Sequence, residues 1–551
     1  MKLLVIGGVA AGASAAARAR RVCESCEIIL FDRGEHVSFA NCGLPYFVGG
    51  VIPEEKDLLL AGPKLFRERL NIEVRTRSDV LAINRDRRTL TVRDLAQGRT
   101  YEESYDALIL APGAKPVTPP LPGLDLPGVF RLRTIPDSRK IKAAAADAQH
   151  ATVIGAGFIG LEMAENLSGL GLKVTVIERA PQILTPFDPE LAILVEQRMR
   201  EHGIDVRVGT AVGAVRREAG GLLVDLSGGD TLRTDLVLLA IGVAPEADLA
   251  VAAGLELGPH GGIKVDSSMC TSDPHIWAAG DAVEVHSLLT NNWQLLPLAG
   301  PANRQGRVAG ENAVGRAGEH HLVEFRGVQG TAIAEVFGLA AAATGASERL
   351  LAAQTDIPWD KVYLHPDHHV GYYPGAKSLS LKMLYALDDG RVLGAQVVGE
   401  KGVARRIDMI AMAMQLGGSV FDLAEAELAY APQFGAAKDP INIAGMIAVN
   451  NLRGDLPLAS WKAVASTDAT LLDVRSRSEF DRGSVAGAIN IPVDELRGRL
   501  SELPDGDVWT ICEMGKRAYY ATRMLRQSGF EASVLPGGMR TYTALRDSGS
   551  L

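Results

Sequence analysis

Residues 3–6 (LLVI) form a short apolar run, small residues follow, and an alanine-rich stretch from Ala13 to Arg21 leads to a second apolar run, Ile28 to Phe31. Short apolar runs bounded by glycine read as strands buried on both faces, and the stretch between them reads as a helix, so the chain opens on a βαβ unit. The same order recurs at Ala151, where TVIGAGFIG leads through a helix ending near Leu170 into a strand from Lys173 to Ile177. Between about Phe325 and Gly445 the pattern changes to strands rich in Val, Ala and Tyr, followed by a Met- and Ala-rich amphipathic helix, Arg405 to Gln415. That change predicts a separate α+β domain. Residues 446–460 carry Asn, Gly, Asp and Pro before a new apolar run at Leu471, which places a boundary near 455 and makes the last ninety or so residues autonomous.

At 551 residues the chain exceeds what one core organises and predicts roughly three or four domains. Hydrophobic residues at 47% and charged residues at 22% are ordinary globular values. The net charge of −9 gives no general attraction to phosphate backbones, so nucleic acid is not expected as a partner. No run approaches the length of a membrane span, and LLVIGG follows Met1 too closely for a signal peptide, so a soluble, cytoplasmic protein is expected. The five cysteines, at 23, 26, 42, 270 and 512, are odd in number and irregularly spaced, which predicts no disulfide framework and a reducing compartment.

The loop GGVAAG (Gly7 to Gly12) follows a strand and opens a helix, with Asp32 ending the next strand twenty residues on. Gly7 permits the tight turn, Gly12 lets helix pack on strand, the helix N-terminus faces a pyrophosphate, and Asp32 accepts from ribose hydroxyls. Val9 stands where the middle glycine is usual. The second loop has all three glycines, Gly155, Gly157 and Gly160, with Glu178 eighteen residues later. Glu178 favours the free 2′-hydroxyl of NADH, a preference that Arg179 tempers, so NADPH stays open. Two such folds in one chain suggest FAD in the first and a nicotinamide in the second.

LILAPGAKP (Leu108 to Pro116) and TSDPHIWAAGDAVE (Thr271 to Glu284) resemble the additional FAD segments of the pyridine nucleotide-disulfide oxidoreductase family, the two-dinucleotide flavoprotein reductases. The resemblance covers roughly residues 1–445. It implies flavin-binding roles for Ala111, Gly113, Gly280 and Asp281. The paired CxxxxC of glutathione-reductase-like members is absent; instead SFANCGLPYFVGG (Ser38 to Gly50) closely resembles the coenzyme A disulfide reductases, implying Cys42 as the redox centre. A lone thiolate suits this chemistry because it attacks a disulfide or persulfide sulfur and reduced flavin resolves the product. Single-cysteine NADH peroxidases and water-forming oxidases carry a histidine in the first loop; here that position is Ala10. By the same resemblance Ser14, Arg18, Arg21, Ser38, Asn41 and Asn303 line a coenzyme A channel.

VGYYPGA (Val370 to Ala376) and YAPQFGAAKDP (Tyr430 to Pro440) resemble the dimerisation domain of these reductases, implying a homodimer. Tyr373 and Tyr430 then approach the reactive sulfur, with Tyr372 as a rival to Tyr373, and Lys438 contacts coenzyme A. The stretch LLDVRSRSEFDRGSVAGAINIP (Leu471 to Pro492) with CEMGKR (Cys512 to Arg517) resembles a rhodanese, implying a persulfide on Cys512 and a loop closed by Arg517. Val485 replaces a histidine common in that motif, a change expected to alter packing. Neither a redox pair nor half a zinc site is favoured for Cys23 and Cys26, no metal is expected, and Cys270 reads as core.

The expected architecture is α/β: a discontinuous FAD-binding domain (1–115 and 243–322), an NAD-binding domain (116–242), an α+β dimerisation domain (323–450) and a C-terminal rhodanese domain (461–551). The expected function is NADH oxidation through FAD and Cys42, with coenzyme A persulfide, polysulfide or coenzyme A disulfide as acceptor. The alternatives are an NADH peroxidase or oxidase with an attached sulfurtransferase, a sulfurtransferase with a vestigial reductase, and a non-catalytic redox sensor.

Overall fold

The computed structural model describes residues 1–218, 220–315 and 322–551. The end of the expected flavin range, 316–321, lies outside them. The chain divides into two compact units: Met1–Arg179 with Gly209–Val328, and Ala180–Val208 with Gln329–Leu551. Residues 180–208, inside the stretch expected to bind NAD, thus group with the second unit.

The first unit contains two parallel sheets. One runs Ile276–Ala278, Ala107–Leu110, Lys2–Ile6, Glu27–Phe31, Glu73–Arg75 in spatial order. Its strands read KLLVI, EIILF and ALIL because both faces are covered, which leaves no place for alternation. The helix Ala11–Val22 begins two residues before the expected Ala13, since Ala10 already has helical dihedrals and no side chain caps the helix. Its alanines face the helix Ala299–Gly315. A Cβ on Gly306 or Gly310 would lie 2.2 Å from the carbonyl oxygen of Ala11 or Ala15, so the two backbones touch where only glycine fits. In the second sheet Lys173–Ile177, His150–Ile154, Leu236–Leu239 and Val129–Phe130 pair in that order, all parallel.

The second unit holds an antiparallel sheet, ordered Ala332–Val336, Leu339–Gly345, Val392–Gly399, Leu379–Ala386, Trp359–Leu364. Helices Val403–Gln415 and Pro440–Leu452 cover one face. Lys382 on this sheet is 1% exposed and ion-paired to Asp188, Glu190 and Glu348. The C-terminal fold has a parallel sheet ordered Ile489–Asn490, Thr470–Asp473, Val508–Ile511, Ala532–Val534. Val485 is buried in its core in one cluster with Trp461 and Ile511.

One expectation fails. Cys23 and Cys26 are joined in a disulfide. The turn that ends the helix at Cys23 sets their Cα atoms 5.5 Å apart, within bridging range, a local geometry that spacing along the chain does not reveal.

Candidate active site

The first glycine loop is shaped by contact. Gly7 has φ +93°, and a Cβ there would lie 2.0 Å from the Ala111 carbonyl oxygen; one on Gly12 would lie 1.8 Å from that of Gly7. Asp32 accepts from the Gly8 amide at 2.8 Å and the Gly34 amide at 2.7 Å. Burial pushes its carboxyl up, and these amides oppose the shift. Asp281 is pushed up by burial too, opposed by Arg133. Gly280, with φ +87°, donates its amide to Gln305 Oε1 at 2.8 Å.

Arg133 was missed in sequence. Its guanidinium reaches Gly113, where a Cβ would lie 2.5 Å from Nη2, and its charge acts on Asp32, Asp281 and Cys42 alike. Among the described residues it has no ion-pair partner. An uncapped helix N-terminus at the glycine loop and a half-buried unpaired cation that reaches Gly113 from the segment after the strand Val129–Phe130 fit the pyrophosphate of a dinucleotide. No motif around RLRTIPD flags this arginine, because only folding brings it to the loop.

The second loop separates structural from ligand-facing glycine. A Cβ on Gly155 would meet the Ala240 carbonyl at 2.4 Å and one on Gly160 that of Gly155 at 2.0 Å, whereas one on Gly157 would meet nothing within 4 Å. Space left by the chain at the middle glycine fits close approach of a bound pyrophosphate. Glu178 Oε2 accepts from the Ala156 amide at 2.9 Å, placing the carboxylate at the loop.

Cys42 lies exposed on the single turn Asn41–Gly43. Asn41 Oδ1 accepts from the Cys42 amide at 3.1 Å and lies 3.8 Å from Sγ. Ser38 is held at φ +49°, its amide bonded to the Gly8 carbonyl at 2.7 Å, so the segment is tied to the glycine loop through a strained residue. Although the Cys42 side chain reaches solvent, desolvation by the protein around it, then Glu162 and Asp281, push the thiol up, and Arg133 pulls it down. Glu162, on the helix Phe158–Gly169 that follows the second glycine loop, was also missed; Tyr46 donates to it at 3.3 Å. Cys42 therefore stands where the two dinucleotide folds meet.

The arginines of the first helix divide into three roles. Arg20 is buried, donating to the carbonyls of Leu70, Asn71 and Cys23. Arg18, expected to line the coenzyme A channel, pairs with Glu311 at 2.8 Å and is partly neutralised, and Arg21 is exposed. Ser14 and Asn303 do meet, at 2.6 Å.

In the second unit Tyr430 bonds Tyr372, not Tyr373, with the hydroxyls 2.8 Å apart. Tyr373 instead sets its ring edge against His369. Lys438 is exposed beside the helix-capping Asp439. Cys512 directly follows the strand Val508–Ile511, is 1% exposed, and its Sγ accepts from the Gly515 amide at 3.1 Å. Arg517 makes two bonds to Glu479, at 2.6 and 2.7 Å, and with the Ser476 contacts holds that carboxyl down at about 2. It thus ties the loop to the helix Arg477–Asp481. Cys270 is buried, as expected.

Two glycine-loop dinucleotide folds converging on one accessible thiol define a nucleotide-dependent thiol oxidoreductase. Residues 1–306 match the description Pyridine nucleotide-disulphide oxidoreductase, residues 331–439 the dimerisation domain of that family, and residues 459–545 a Rhodanese-like domain. An NADH oxidase of Methanocaldococcus jannaschii is 34% identical over 82% of this chain and 99% of its own length. A coenzyme A disulfide reductase of Staphylococcus haemolyticus is 33% identical over 81% and 98%. Among solved structures, reduced Bacillus anthracis CoADR-RHD superposes with TM-score 0.96 at 43% identity, covering 99% of this chain and 98% of that one. A NAD-dependent persulfide reductase from A. fulgidus gives TM-score 0.91 at 37% identity over 98% and 100%. The chain belongs to the pyridine nucleotide-disulphide oxidoreductase family and is an enzyme that works with FAD and NADH. It carries that family's dimerisation domain and a rhodanese domain. No helix among the described residues is long and apolar enough to cross a membrane.

Proposed function

We propose that the enzyme reduces coenzyme A persulfide, polysulfide or coenzyme A disulfide at the expense of NADH, as a cytoplasmic homodimer divided into the four domains bounded above. The observation that carries this reading is Cys42: it is the one exposed free thiol among the described cysteines, since Cys23 and Cys26 are bonded together and Cys270 and Cys512 are buried.

Gly7, Gly12, Asp32, Ala111, Gly113, Gly280 and Asp281, with Arg133, are the residues that hold FAD, and Gly155, Gly157, Gly160 and Glu178 those that hold NADH. When bound, FAD relays an electron pair from NADH to sulfur. The Cys42 thiolate attacks the inner sulfur of coenzyme A persulfide, forming a mixed disulfide with coenzyme A and expelling hydrosulfide. With coenzyme A disulfide the leaving group is coenzyme A thiolate instead. Two electrons then cleave the mixed disulfide and restore both thiolates. Asn41 orients the sulfur, while Ser14, Ser38, Arg18, Arg21 and Asn303 receive coenzyme A. Tyr373, Tyr430 and Lys438 complete the site in the dimer. Cys512 carries sulfane sulfur in the rhodanese domain, steadied by Arg517.

Ala10 offers no proton donor for O–O cleavage, which weighs against peroxide or oxygen as acceptor. The deciding experiment is anaerobic NADH oxidation with coenzyme A persulfide, coenzyme A disulfide and peroxide, in wild type, Cys42→Ser and Cys512→Ser. A dominant persulfide rate abolished by Cys42→Ser supports the reading; a dominant peroxide rate overturns it.

A further inference from the structure

A cavity of about 790 Å³ lies within the second unit, and its lining comes from the helix Pro189–Glu201, with Glu190 and Gln197, as well as from both of that unit's folds. That volume is in the range of small-molecule sites. Its first wall is the antiparallel sheet, with His365 and Ser380; its second is the rhodanese fold, with Arg482, Thr543 and Glu513, the residue that follows Cys512.

The walls are fixed to each other by the first turn of the helix Gly538–Asp547. On one side Met539 donates its amide to the Cys512 carbonyl at 2.8 Å, and Arg540 donates its own to that of Glu513 at 3.2 Å. On the other, Arg540 Nη1 donates to Ser378 Oγ at 2.7 Å, and Thr541 Oγ1 lies 2.9 Å from His365 Nε2. The same turn therefore holds the sulfur loop and the sheet. A swing of the rhodanese domain would break the two bonds to Ser378 and His365, so sulfur leaves Cys512 on a diffusible acceptor more readily than on a moving domain.

The lining describes that acceptor. The His365 imidazole is bonded on both nitrogens, to Ser380 and Thr541, and burial brings it down to about 3, so this wall is neutral and rich in donors and acceptors. Arg475 is taken up by Asp473, and Arg546 by Asp547. Arg482 is exposed and, among the described residues, has no hydrogen-bond or ion-pair partner for its guanidinium.

We propose that this cavity docks the anionic low-molecular-weight thiol that exchanges sulfane sulfur with Cys512, and that Arg482 holds its anionic group. The inference rests on the reading of Cys512 as a sulfur carrier. In the exchange the acceptor thiolate attacks the outer sulfur of the Cys512 persulfide. The new S–S bond forms on the acceptor, the bond to Sγ breaks, and Cys512 leaves as thiolate, with no net oxidation. The anion is a phosphate if the thiol is of the coenzyme A kind and a carboxylate if of the glutathione kind.

The test uses the full-length FAD-loaded protein, charged on Cys512 with thiosulfate. The added sulfur is read by intact mass before any thiol is present. Discharge is then timed with coenzyme A, glutathione and neutral 2-mercaptoethanol. Arg482→Ala is expected to lower kcat/KM for one anionic thiol relative to 2-mercaptoethanol about tenfold, through KM, as loss of a charge-assisted contact does. Arg482→Lys should restore most of it, and Thr543→Trp, which fills the cavity, should lower the same ratio. The thiol whose ratio falls identifies the source of the anion. Ratios unchanged in both Arg482→Ala and Thr543→Trp overturn the cavity assignment. A Cys512 that gains no sulfur overturns the carrier reading itself, and with it the assignment.

Discussion

The Tyr46 hydroxyl donates to Glu162 at 3.3 Å, which ties the segment just after the reactive Cys42 to the helix of the second glycine loop. Tyr46 sits on the short helix Leu44–Val48, and this helix is pressed close enough that a Cβ on Gly49 would lie 2.1 Å from Asn166 Oδ1. The thiol's electrostatics are thereby set by a residue more than a hundred positions away.

Glu162 is one of the two carboxylates that hold the Cys42 thiol up, after desolvation by the protein around it. Removing its charge in Glu162→Gln lowers the thiol's pKa, so the alkylation of Cys42 by iodoacetamide should reach half its maximal rate at lower pH than in wild type. A profile shifted to higher pH would contradict the arrangement.

Arg133 opposes the charge of Asp32, Asp281 and Cys42. Arg133→Ala is expected to weaken FAD binding by about 1.5–3 kcal/mol, the worth of a hydrogen bond to a charged group, and to move Cys42 alkylation to higher pH. Fluorescence of released flavin on dilution measures the first effect. Retention equal to wild type would remove Arg133 from the flavin site.

Gly155 and Gly157 should respond oppositely to alanine. Gly155→Ala places a Cβ against the Ala240 carbonyl at φ +104° and is expected to destabilise the fold by about 1–3 kcal/mol, seen as a lower Tm. Gly157 is not in the left-handed region and has open space, so Gly157→Ala should keep the Tm and raise KM for NADH. An unchanged KM in Gly157→Ala would show that the pyrophosphate does not pass there.

Lys382 lies among three carboxylates, and although burial pushes Glu348 up, Lys382 and Lys361 bring it down to about 2. A carboxyl depressed in the folded state below its unfolded value of about 4.3 stabilises above that pH, and the contribution is lost as pH falls through about 2. Unfolding in urea should show stability declining across that window, with a shallower decline in Glu348→Gln. Lys382→Met, which leaves buried carboxylates without their cation, is expected to cost about 3–5 kcal/mol. A loss under 1 kcal/mol would mean that water enters the cluster.

The parts legible in the sequence are those that local geometry dictates. Unbroken apolar runs specify strands covered on both faces, and Gly7, Gly12, Gly155 and Gly160 stand where a Cβ would strike a nearby carbonyl. The single-cysteine segment around Cys42 and the loop from Cys512 to Arg517 are equally local, since each is a continuous stretch that places its own sulfur. Tertiary structure alone decided the rest. It brought Arg133 and Glu162 to bear on Cys42, paired Arg18 with Glu311 and Tyr430 with Tyr372, and gathered Asp188, Glu190 and Glu348 around Lys382. Charge acts through space, and residues far apart in the chain become neighbours only when burial of the apolar runs fixes where each backbone lies.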